Sequence, residues 1–363
     1  MKILMFSRDI KLLESWSRVS SIFADYSNIF EEIFVIILAK KQDDKNYEKK
    51  WVPIYDNIFV FPIYSRSHLL SLFWLLKSIW GLKKKVDIIT VQDPFEAGFL
   101  ALLVAKLLGL KIQIQVHTDF LSPHYKKISP LNRARVWLAK LVLKRADCIR
   151  VVSSQLKKEI VLKIKLKTTP TVLPIFVDIE KNKSFTPTTN LKEQYPQFEK
   201  IILMASRFSK EKNFPLAISA FEKVLATYPK AGLIIVGSGP ERNKIEELII
   251  KKQLGQSVVL LGWTNDLVSY YKTTDLFLVT SDYEGFGMTI VEALASGLPV
   301  VSTPVGIAFV AGAKITKPTS ENISLTVIES LSQAPLGVLN KNAFCLDKAE
   351  YLERYKESFL VCN

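Results

Sequence analysis

The chain has 363 residues, with 49 Lys and Arg against 35 Asp and Glu, and a formal net charge of +14. Hydrophobic residues make up 48% and charged residues 23%, which are ordinary globular values and exclude disordered and fibrous classes. At roughly 150 residues per domain, this length predicts two domains, each large enough for its own core.

Three cysteines, Cys148, Cys345 and Cys362, are far apart in the chain and form no C-x-x-C pair. Such spacing argues against a disulfide scaffold or a cysteine zinc site and is typical of a reducing compartment. No secretory signal is predicted, because the chain starts with a short apolar strand rather than a signal-like apolar region. The most apolar stretch, residues 69–82, is shorter than the roughly 20 residues of a spanning helix, so no membrane crossing is expected.

The basic surplus is concentrated in the first half of the chain. Residues 1–180 carry 29 basic and 17 acidic side chains, a surplus of 12, whereas residues 181–363 carry 20 and 18, a surplus of 2. This asymmetry indicates an anionic partner for the first half, such as nucleic acid, a membrane surface or an acidic substrate. The alternative is a solvated surface that keeps the protein soluble.

Short apolar runs alternate with helix-like segments along the first half. Continuous runs of Val, Ile and Leu are typical of parallel strands that are covered on both faces, so the pattern predicts a parallel α/β sheet. The predicted strands are residues 3–6, 33–38, 58–61, 87–91, 112–116 and 149–152, and the predicted helices are residues 69–83, 96–108 and 131–144.

A polar stretch at residues 178–200, with the breakers Pro187 and Pro196, interrupts this alternation. The alternation then restarts and predicts a second doubly wound domain. Its predicted strands are residues 201–205, 232–236, 258–261, 276–280 and 300–302, and the periodic segments between them are residues 215–227, 242–251, 267–272 and 288–295.

The most informative segment runs from Asp282 to Val301, where a predicted strand leads into a glycine-containing loop and a helix that starts near Gly287. The first-turn N–H groups and the dipole of such a helix form an anion site. Glu284 lies in the loop and Glu292 in the helix, so the two carboxylates are suited to bind sugar and ribose hydroxyls on either side of a diphosphate. The alternative is an ordinary turn followed by a helix cap.

Several segments together resemble the retaining glycosyltransferases of family 4, which have the GT-B fold of two doubly wound Rossmann-like domains facing a central cleft. In the second half the resemblance rests on the Glu-x7-Glu pair in SDYEGFGMTIVEALASGLPVVST, on ASRFSKEKN at 205–213, on VGSGPERNKIEEL at 236–248 and on LLGWTNDL at 260–267. In the first half it rests on DIITVQDPFEAG at 87–98, QVHTDF at 115–120, ADCIRVVS at 146–153 and VLPIFVD at 172–178.

This resemblance implies four regions. Residues 1–178 would form the acceptor-side domain, 179–198 a linker, and 199–340 the domain that binds the nucleotide sugar. Residues 341–363 would carry a C-terminal helix that packs back on the first domain.

The resemblance also implies a donor site in the second half. Arg207 and Lys212 would neutralise the donor diphosphate and the charge that develops as it leaves, and Glu284 would hold the sugar hydroxyls. The alternatives are surface cations of a charged turn for the first two and a core or rim aromatic for Trp263. Further donor contacts are implied for Gly237, Gly239, Trp263, Thr264, Phe286, Gly287, Met288 and Glu292.

The first half contributes a histidine and several acceptor-side candidates. The family places a histidine at the position of His117 against the donor sugar, although a lone histidine is more often structural. Asp93 and Glu96 follow another predicted strand and are acceptor candidates, with an Asp-Pro turn and a charged helix start as the alternative. Arg8 and Asp9 lie in a loop where the family usually carries a glycine pair, and we expect them to substitute for it.

The implied reaction uses a nucleotide-diphosphate sugar as donor and needs no metal and no other cofactor, because cations and a helix N-terminus meet the charge of the leaving group. The family retains the anomeric configuration. Two alternatives are a GT-B protein that binds nucleotide sugar without transfer, and a nucleic-acid-binding protein. The second lacks a recognition helix, an RNP motif and a zinc finger in its sequence, so no nucleic-acid partner is expected.

The expected acceptor is a lipid-linked or cell-envelope saccharide, and the expected location is cytoplasmic, peripheral on the inner membrane face. Basic side chains near an anionic bilayer contribute about 1 kcal/mol each to binding. The candidate basic residues are Lys83, Lys84, Lys85, Lys126 and Lys127, together with Arg133, Trp137, Lys140 and Lys144 on one helical face.

Overall fold

The computed structural model describes residues 1–14, 18–39, 50–64, 68–79, 82, 85–333, 337–344 and 347–362. The chain folds into two compact units. One unit contains residues 1–121, 129–173 and 349–363, and the other contains residues 122–128 and 174–348. The main boundary between the two units thus follows residue 173. The short segment 122–128 comes from the first half of the chain but belongs to the second unit.

The first unit is built on a sheet whose described strands follow the order β3-β4-β2-β1-β5-β6-β7-β8. Each predicted strand of the first half is present, within one or a few residues of its predicted bounds. The strands are β1 (Lys2–Ser7), β2 (Glu32–Ala39), β3 (Val52–Tyr55), β4 (Ile58–Tyr64), β5 (Ile88–Val91), β6 (Lys111–Val116), β7 (Cys148–Val151) and β8 (Thr171–Val172).

The predicted parallel sheet of the first unit has one antiparallel strand, which lies at its edge. β3 pairs antiparallel with β4 through a short turn, with Val52 opposite Val60 and an irregular register between Pro53 and Tyr55. Proline is tolerated on an edge strand because it has no N–H to donate to a neighbour. The remaining neighbours, from β4 to β8, pair in parallel.

The second unit contains a parallel sheet with the strand order β11-β10-β9-β12-β13-β14. Apolar side chains of β9, β10 and β12 are almost completely buried, as expected of strands covered by helices on both faces. These strands are β9 (Lys200–Ala205), β10 (Ala231–Val236), β11 (Val258–Leu261), β12 (Leu276–Val279), β13 (Val300–Ser302) and β14 (Lys314–Ile315).

The helices connect the strands and cover both sheets. Three short 3-10 turns lie at Ile10–Leu13, Lys210–Lys212 and Lys341–Ala343 among the described residues. The described α-helices are α1 (Arg18–Ser27), α2 (His68–Ile79), α3 (Glu96–Leu108), α4 (Pro123–Ile128), α5 (Pro130–Leu143), α6 (Ser154–Lys163), α7 (Ile179–Ser184), α8 (Leu191–Gln194), α9 (Phe214–Val224), α10 (Arg242–Lys251), α11 (Leu267–Lys272), α12 (Met288–Ala295), α13 (Ala308–Ala311), α14 (Ser320–Gln333) and α15 (Lys348–Leu360).

The polar stretch expected as a linker, residues 179–198, is part of the second unit and contains α7 and α8. Its side chains bond to that unit: the Thr188 hydroxyl donates to Asp266 at 2.8 Å, and Lys192 forms an ion pair with Asp275 at 2.8 Å. The polar side chains of residues 179–198 thus bind this segment to the surface of the second unit.

The C-terminal helix α15 belongs to the first unit and is joined to its sheet by buried polar contacts. Gln113 of β6 donates its amide to the Ser358 carbonyl at 2.8 Å. Arg150 of β7 is 2% exposed, donates to the Tyr351 hydroxyl at 3.1 Å and lies 4.9 Å from the ring centre of Tyr355. A buried guanidinium is tolerated because these partners replace water.

A disulfide between Cys148 of β7 and Cys362, two residues after the end of α15, also joins this C-terminal segment to the sheet, with Cα atoms 5.1 Å apart. The two cysteines are 214 residues apart in sequence, so their spacing gave no sign of the pair. This single cross-link is not a disulfide scaffold, and the expected reducing compartment stays a prediction. Cys345 lies outside the described residues.

Candidate functional site

The carboxyl ends of β9, β10 and β12 gather the predicted donor-site residues of the second unit. The strand order reverses at β9, which has β10 on one side and β12 on the other. Open α/β sheets bind ligands outside the carboxyl ends of their strands at such a reversal. Arg207 and Lys212 follow β9, Gly237 and Gly239 follow β10, and Glu284 follows β12.

Lys212 and Glu284 form an ion pair at this edge of the sheet. The lysine Nζ lies 2.5 Å from Oε1 of Glu284, and the two side chains are only 15% and 18% exposed. The Ser281 hydroxyl donates to the same carboxylate oxygen at 2.8 Å. An ammonium has three donors and a carboxylate has two acceptor oxygens, so both groups keep hydrogen-bonding capacity for a ligand.

The loop that carries Lys212 is tied to the loop after β12. Asn213 adopts a left-handed conformation with φ of +50°, and its side-chain amide donates to Asp282 at 2.9 Å. The Thr280 hydroxyl donates to the Lys212 carbonyl at 2.9 Å. The cation and the carboxylate thus lie on two loops that are bonded to each other by backbone and side chain.

Arg207 differs from Lys212 in being exposed, with 74% of its side chain accessible to solvent. Its Nη2 lies 3.6 Å from Glu211, and Glu211 also accepts the Ser209 hydroxyl at 2.6 Å. An exposed guanidinium with one long ion pair can turn to an anionic ligand, and its planar donors fit phosphate in a bidentate manner.

Gly237 and Gly239 make room for the loop that carries Arg207. A Cβ at Gly237 would lie 2.0 Å from the Ser206 carbonyl oxygen, and one at Gly239 would lie 2.4 Å from that of Phe208. Both glycines also have positive φ angles, of +147° and +153°. From the sequence, we expected these glycines to let the backbone come close to the nucleotide. In the structure they let it come close to the backbone of the loop after β9.

Helix α12 begins at the predicted place, with Gly287 as its N-cap at φ of +94° and Met288 as its first residue. The N–H groups of a first helical turn have no acceptor within the helix, which makes them suited to an anion. Sequence analysis missed Gly306 in the loop after β13. A Cβ there would lie 2.3 Å from the carbonyl oxygen of the buried Phe286, whose oxygen also accepts the N–H of Ile307 at 2.8 Å.

The remaining predicted donor residues flank this edge. Glu292 of α12 lies 3.4 Å from the Tyr271 hydroxyl, which donates to it. Thr264 accepts the backbone N–H of Asp266 through its hydroxyl at 3.0 Å. Trp263 is 66% exposed, which excludes the core alternative for this side chain.

Helix α4 is a second feature that sequence analysis did not assign to this site. His124 Nδ1 lies 3.7 Å from Asp282, and the Tyr125 ring packs edge-on against Tyr283 with ring centres 5.7 Å apart. Burial raises the pKa of Tyr283 well above its usual value, so its hydroxyl stays protonated. Residues 282–284 are thereby supported by a segment distant in sequence.

Asp93 and Glu96 lie together at the start of α3 in the first unit. Asp93 accepts the backbone N–H of Phe95 at 2.9 Å, and burial raises its pKa. Glu96 accepts Arg135 Nε at 2.7 Å and lies 3.5 Å from Arg8. Burial acts to raise the pKa of Glu96, but the bond from Arg135 and the charges of both arginines hold it below its usual value.

Asp9, the other residue of the loop after β1, caps a 3-10 turn by accepting the backbone N–H of Lys11 at 3.0 Å. Arg8 and Glu96 join the loops after β1 and β5, which are neighbours at the reversal of the first sheet. The four acceptor-side candidates therefore lie at the carboxyl ends of two neighbouring strands of the first sheet. Each of them also makes a hydrogen bond or an ion pair within the protein.

His117 follows β6 and is fixed by a hydrogen-bond chain. Its Nε2 lies 3.3 Å from Gln115 Oε1, which also accepts Arg150 Nη1 at 2.8 Å. The Gln115 amide nitrogen donates to Thr90 at 2.9 Å and to the Tyr355 hydroxyl at 3.0 Å, which sets the amide orientation. Since Gln115 Oε1 can only accept, Nε2 of His117 is the protonated nitrogen and Nδ1 carries the lone pair.

The imidazole of His117 is neutral near pH 7. Burial, assisted by the positive charge of Arg150, lowers its pKa to about 3. Sequence analysis missed both Gln115 and Arg150, although a Gln and an Arg inside otherwise apolar predicted strands were a usable signal.

No group of three or more His, Cys, Asp or Glu side chains suited to a metal ion occurs in the part of the chain that the structure describes. Within the same residues, no helix has the length and apolarity to cross a bilayer.

Two family models match the chain in succession. Residues 31–181 match the model "Glycosyltransferase Family 4", and residues 188–311 match the model "Glycosyl transferases group 1". The chain belongs to the family 4-type glycosyltransferases. The predicted resemblance to the glycosyltransferases of family 4 is therefore confirmed, whereas retention of configuration stays a prediction.

Curated relatives of this glycosyltransferase include two alpha-monoglucosyldiacylglycerol synthases. That of Acholeplasma laidlawii is 28% identical over 76% of this chain and 74% of its own length. That of Streptococcus pneumoniae is 29% identical over 60% of this chain and 52% of its own length, so the match spans about half of that relative.

Among solved structures, Anabaena Alr3699/HepE in complex with UDP matches the glycosyltransferase with a TM-score of 0.73 and 18% identity. The match covers 99% of this chain and 100% of that one. At this identity the likeness establishes the fold, which is GT-B, as predicted.

Proposed function

We propose that this glycosyltransferase transfers a sugar, with retention of configuration and without a metal ion, from a nucleotide-diphosphate sugar to a lipid-linked or saccharide acceptor. The observation that carries the proposal is the paired Lys212 and Glu284 beside the N-terminus of α12. A cation, a carboxylate and a helix start are the groups that a sugar diphosphate requires.

In this proposal the second unit binds the donor. Arg207, Lys212 and the first-turn N–H groups of α12 bind the diphosphate, and they stabilise the negative charge that grows as it leaves. Glu284 accepts hydrogen bonds from sugar hydroxyls, while Glu292 accepts those of the ribose. Trp263 and Thr264 lie beside the base, and the buried Phe286 shapes the loop.

Metal independence rests on this set of positive groups. A divalent ion bound to a diphosphate supplies charge neutralisation to the leaving group. Here two cationic side chains and a helix dipole supply it instead, so the donor needs no metal partner.

His117 would face the sugar with a lone pair on Nδ1, because Nε2 donates to Gln115. A neutral imidazole accepts a hydroxyl hydrogen bond without adding positive charge near the anomeric carbon. Arg8, Asp9, Asp93 and Glu96 would bind the acceptor at the reversal of the first sheet.

The lipid part of the proposal has two supports. Two relatives bear the names of enzymes that make a glycosylated diacylglycerol. The residues predicted for the basic face are also accessible, since Arg133 and Trp137 of α5 and its C-cap Lys144 are exposed and Lys140 is half-buried. We propose a peripheral position on the inner membrane face.

Some of the predicted basic residues need reassignment. Lys126 and Lys127 are in α4 and therefore belong to the second unit, although the sequence interpretation counted them with the first. Lys85 is exposed, whereas Lys83 and Lys84 lie outside the described residues.

The test uses wild type and the variants Lys212→Ala and Glu284→Gln with a panel of UDP-, GDP-, ADP- and CMP-sugars. Donor binding is followed by thermal shift, and transfer or donor hydrolysis by nucleotide release. We expect each variant to lose roughly a hundredfold or more in turnover, the scale of losing one oriented electrostatic group.

The matched control is Lys223→Ala, which removes the lysine of an exposed ion pair with Glu321 elsewhere in the same unit. The control should keep wild-type turnover. Full activity of Lys212→Ala or Glu284→Gln would overturn the assignment of the site. Donor binding by wild type without any turnover on the panel would instead indicate a binding protein without transfer.

A further inference from the structure

Helix α3 is apolar on its outer face as well as on the face that covers the first sheet. Phe99, Leu103 and Leu107 recur every four residues and are 37%, 48% and 58% exposed. This spacing puts them on one side of the helix. The opposite side is buried through Ala97, Ala101, Val104, Ala105 and Leu108. A helix with apolar side chains on its outer face as well as its inner face needs an apolar partner outside as well as inside.

A groove of about 490 Å³ is lined by residues of α3 and α5 beside this face. Its apolar wall includes Phe99 and Leu103 from α3 and Leu141 from α5. Trp137 lies one helical turn before Leu141 and is 66% exposed, so it extends the apolar surface along α5. The apolar area of the two helices is therefore continuous.

The charged side chains of the groove are mainly cations. Lys106, Arg145 and Lys167 contribute to its lining. Arg145 donates to the Leu141 carbonyl at 3.2 Å, and none of the three forms an ion pair with a carboxylate among the residues that the structure describes. The acid of the described lining, Asp147, uses a carboxylate oxygen to accept the backbone N–H of Ile112 at 2.9 Å. The three cations therefore remain available to an anionic partner.

We propose that this surface docks the enzyme on a bilayer that contains anionic lipid. The docking surface consists of Phe99, Leu103 and Leu107 on α3, Trp137 on α5, and the cations Lys106, Arg145 and Lys167. The apolar side chains enter the boundary between headgroups and acyl chains, and the cations contact lipid phosphates. This inference rests on the membrane part of the proposed function and gives it a specific surface.

The chemistry of the surface favours a bilayer over a protein. Aliphatic side chains beside Lys, Arg and an exposed Trp form the composition of an interfacial membrane helix. Long cationic side chains can keep their charges at the headgroups while their stems cover apolar surface. The basic surplus of residues 1–180 attracts the same anionic surface at longer range.

The experiment measures co-sedimentation of the full chain with phosphatidylcholine vesicles, with and without phosphatidylglycerol. The test variant is Leu103→Glu with Leu107→Glu. Its control is Ile250→Glu with Leu325→Glu, two apolar positions of the second unit that are 75% and 66% exposed. We expect the test variant to bind anionic vesicles about tenfold or more weakly than wild type, and the control to bind like wild type.

A second variant, Lys106→Glu with Arg145→Glu, changes only charges, and both positions are exposed. It keeps the proposal testable if the leucine variant fails to fold, which thermal unfolding reveals. It should lose preference for anionic over neutral vesicles and show less dependence on salt.

The outcomes separate this inference from the proposed function. If wild type does not bind anionic vesicles at low salt, the membrane part of the proposed function fails together with the inference. If wild type binds and the folded variants bind equally well, only the docking surface is overturned. A wild-type dimer in the absence of lipid that the leucine variant dissociates would assign the surface to a second copy of the chain and overturn the inference.

Discussion

His117 illustrates how buried neighbours set the charge of one side chain. Its pKa of about 3 lies below the ordinary imidazole value near 6.5, because burial and the charge of Arg150 oppose protonation. Below pH 6.5 the imidazole therefore binds a proton in the unfolded chain, whereas in the folded protein it stays neutral until the pH approaches 3. The stability contribution of this group is constant above that pH and is lost as the pH falls toward 3.

We predict that this one group makes the protein about 2 kcal/mol less stable at pH 5 than at pH 7. The variant His117→Asn should lack that part of the pH dependence. Urea unfolding of wild type and variant at the two pH values measures it. Equal pH dependence of the two proteins would contradict the neutral buried state.

Gln115 lies between the charge of Arg150 and the imidazole of His117. The variant Gln115→Glu puts a carboxylate between Arg150 and His117, and the hydroxyls of Thr90 and Tyr355 can donate to it instead of accepting. We expect the pKa of His117 to rise, because a nearby negative charge favours the imidazolium. NMR titration of the ring nitrogens measures the shift, and an unchanged pKa would exclude the hydrogen bond between the two side chains.

Sequence alone predicted candidate site residues where they belong to local motifs, but it did not predict the contacts between residues that are distant in the chain. Lys212 and Glu284 were each assigned through a motif, whereas their ion pair depends on how the loops after β9 and β12 meet. Gln115 and Arg150 belong to no motif, and their role arises because inward side chains of neighbouring strands and α15 share one buried space.

The regular elements were predictable where the hydrophobic pattern is strong. The central strands are continuous apolar runs, and α3, α10 and α12 have the predicted bounds because their apolar period is clear. β3 was missed because it is an edge strand with a proline, and α4 because it is short and starts at Pro123. Their positions depend on contacts with residues far along the chain.

The loops after β9 and β10 pack so closely that a single methyl group should separate them. In Gly239→Ala, the new Cβ would approach the Phe208 carbonyl oxygen to 2.4 Å at a φ of +153°. We expect a loss of roughly 1–3 kcal/mol in stability, together with weaker donor binding because Arg207 moves.

The control for this prediction is Gly255→Ala, where an added Cβ meets nothing within 4 Å. Urea unfolding and thermal shift with donor compare the two variants. Equal stability and equal donor binding of both would show that the loops are not in close contact.

At the scale of the whole molecule, α15 returns to the first unit and completes its core. Removing residues 349–363 would leave Arg150 without Tyr351 and without the face of Tyr355, and Gln113 without Ser358. Uncovering an unpaired buried charge costs several kcal/mol. We expect the shortened chain to lose the folded first unit, while limited proteolysis still yields a protected fragment from the second.

The matched control removes only residues 361–363, which eliminates the disulfide of Cys362 but keeps the polar contacts of α15. It should retain both protease-resistant fragments. If the two shortened chains behave alike, the buried contacts of α15 do not determine the stability of the first unit.

The stereochemistry of turnover decides whether the enzyme transfers sugar with retention and without a metal ion. With the nucleotide sugar that gives the largest thermal shift, proton NMR follows the first-formed product in the presence of a chelator. An α-linked donor should give an α-configured product at an undiminished rate in wild type and Lys223→Ala, and almost none in Glu284→Gln. An inverted product, or activity that the chelator abolishes and a divalent ion restores, would contradict metal-independent transfer with retention.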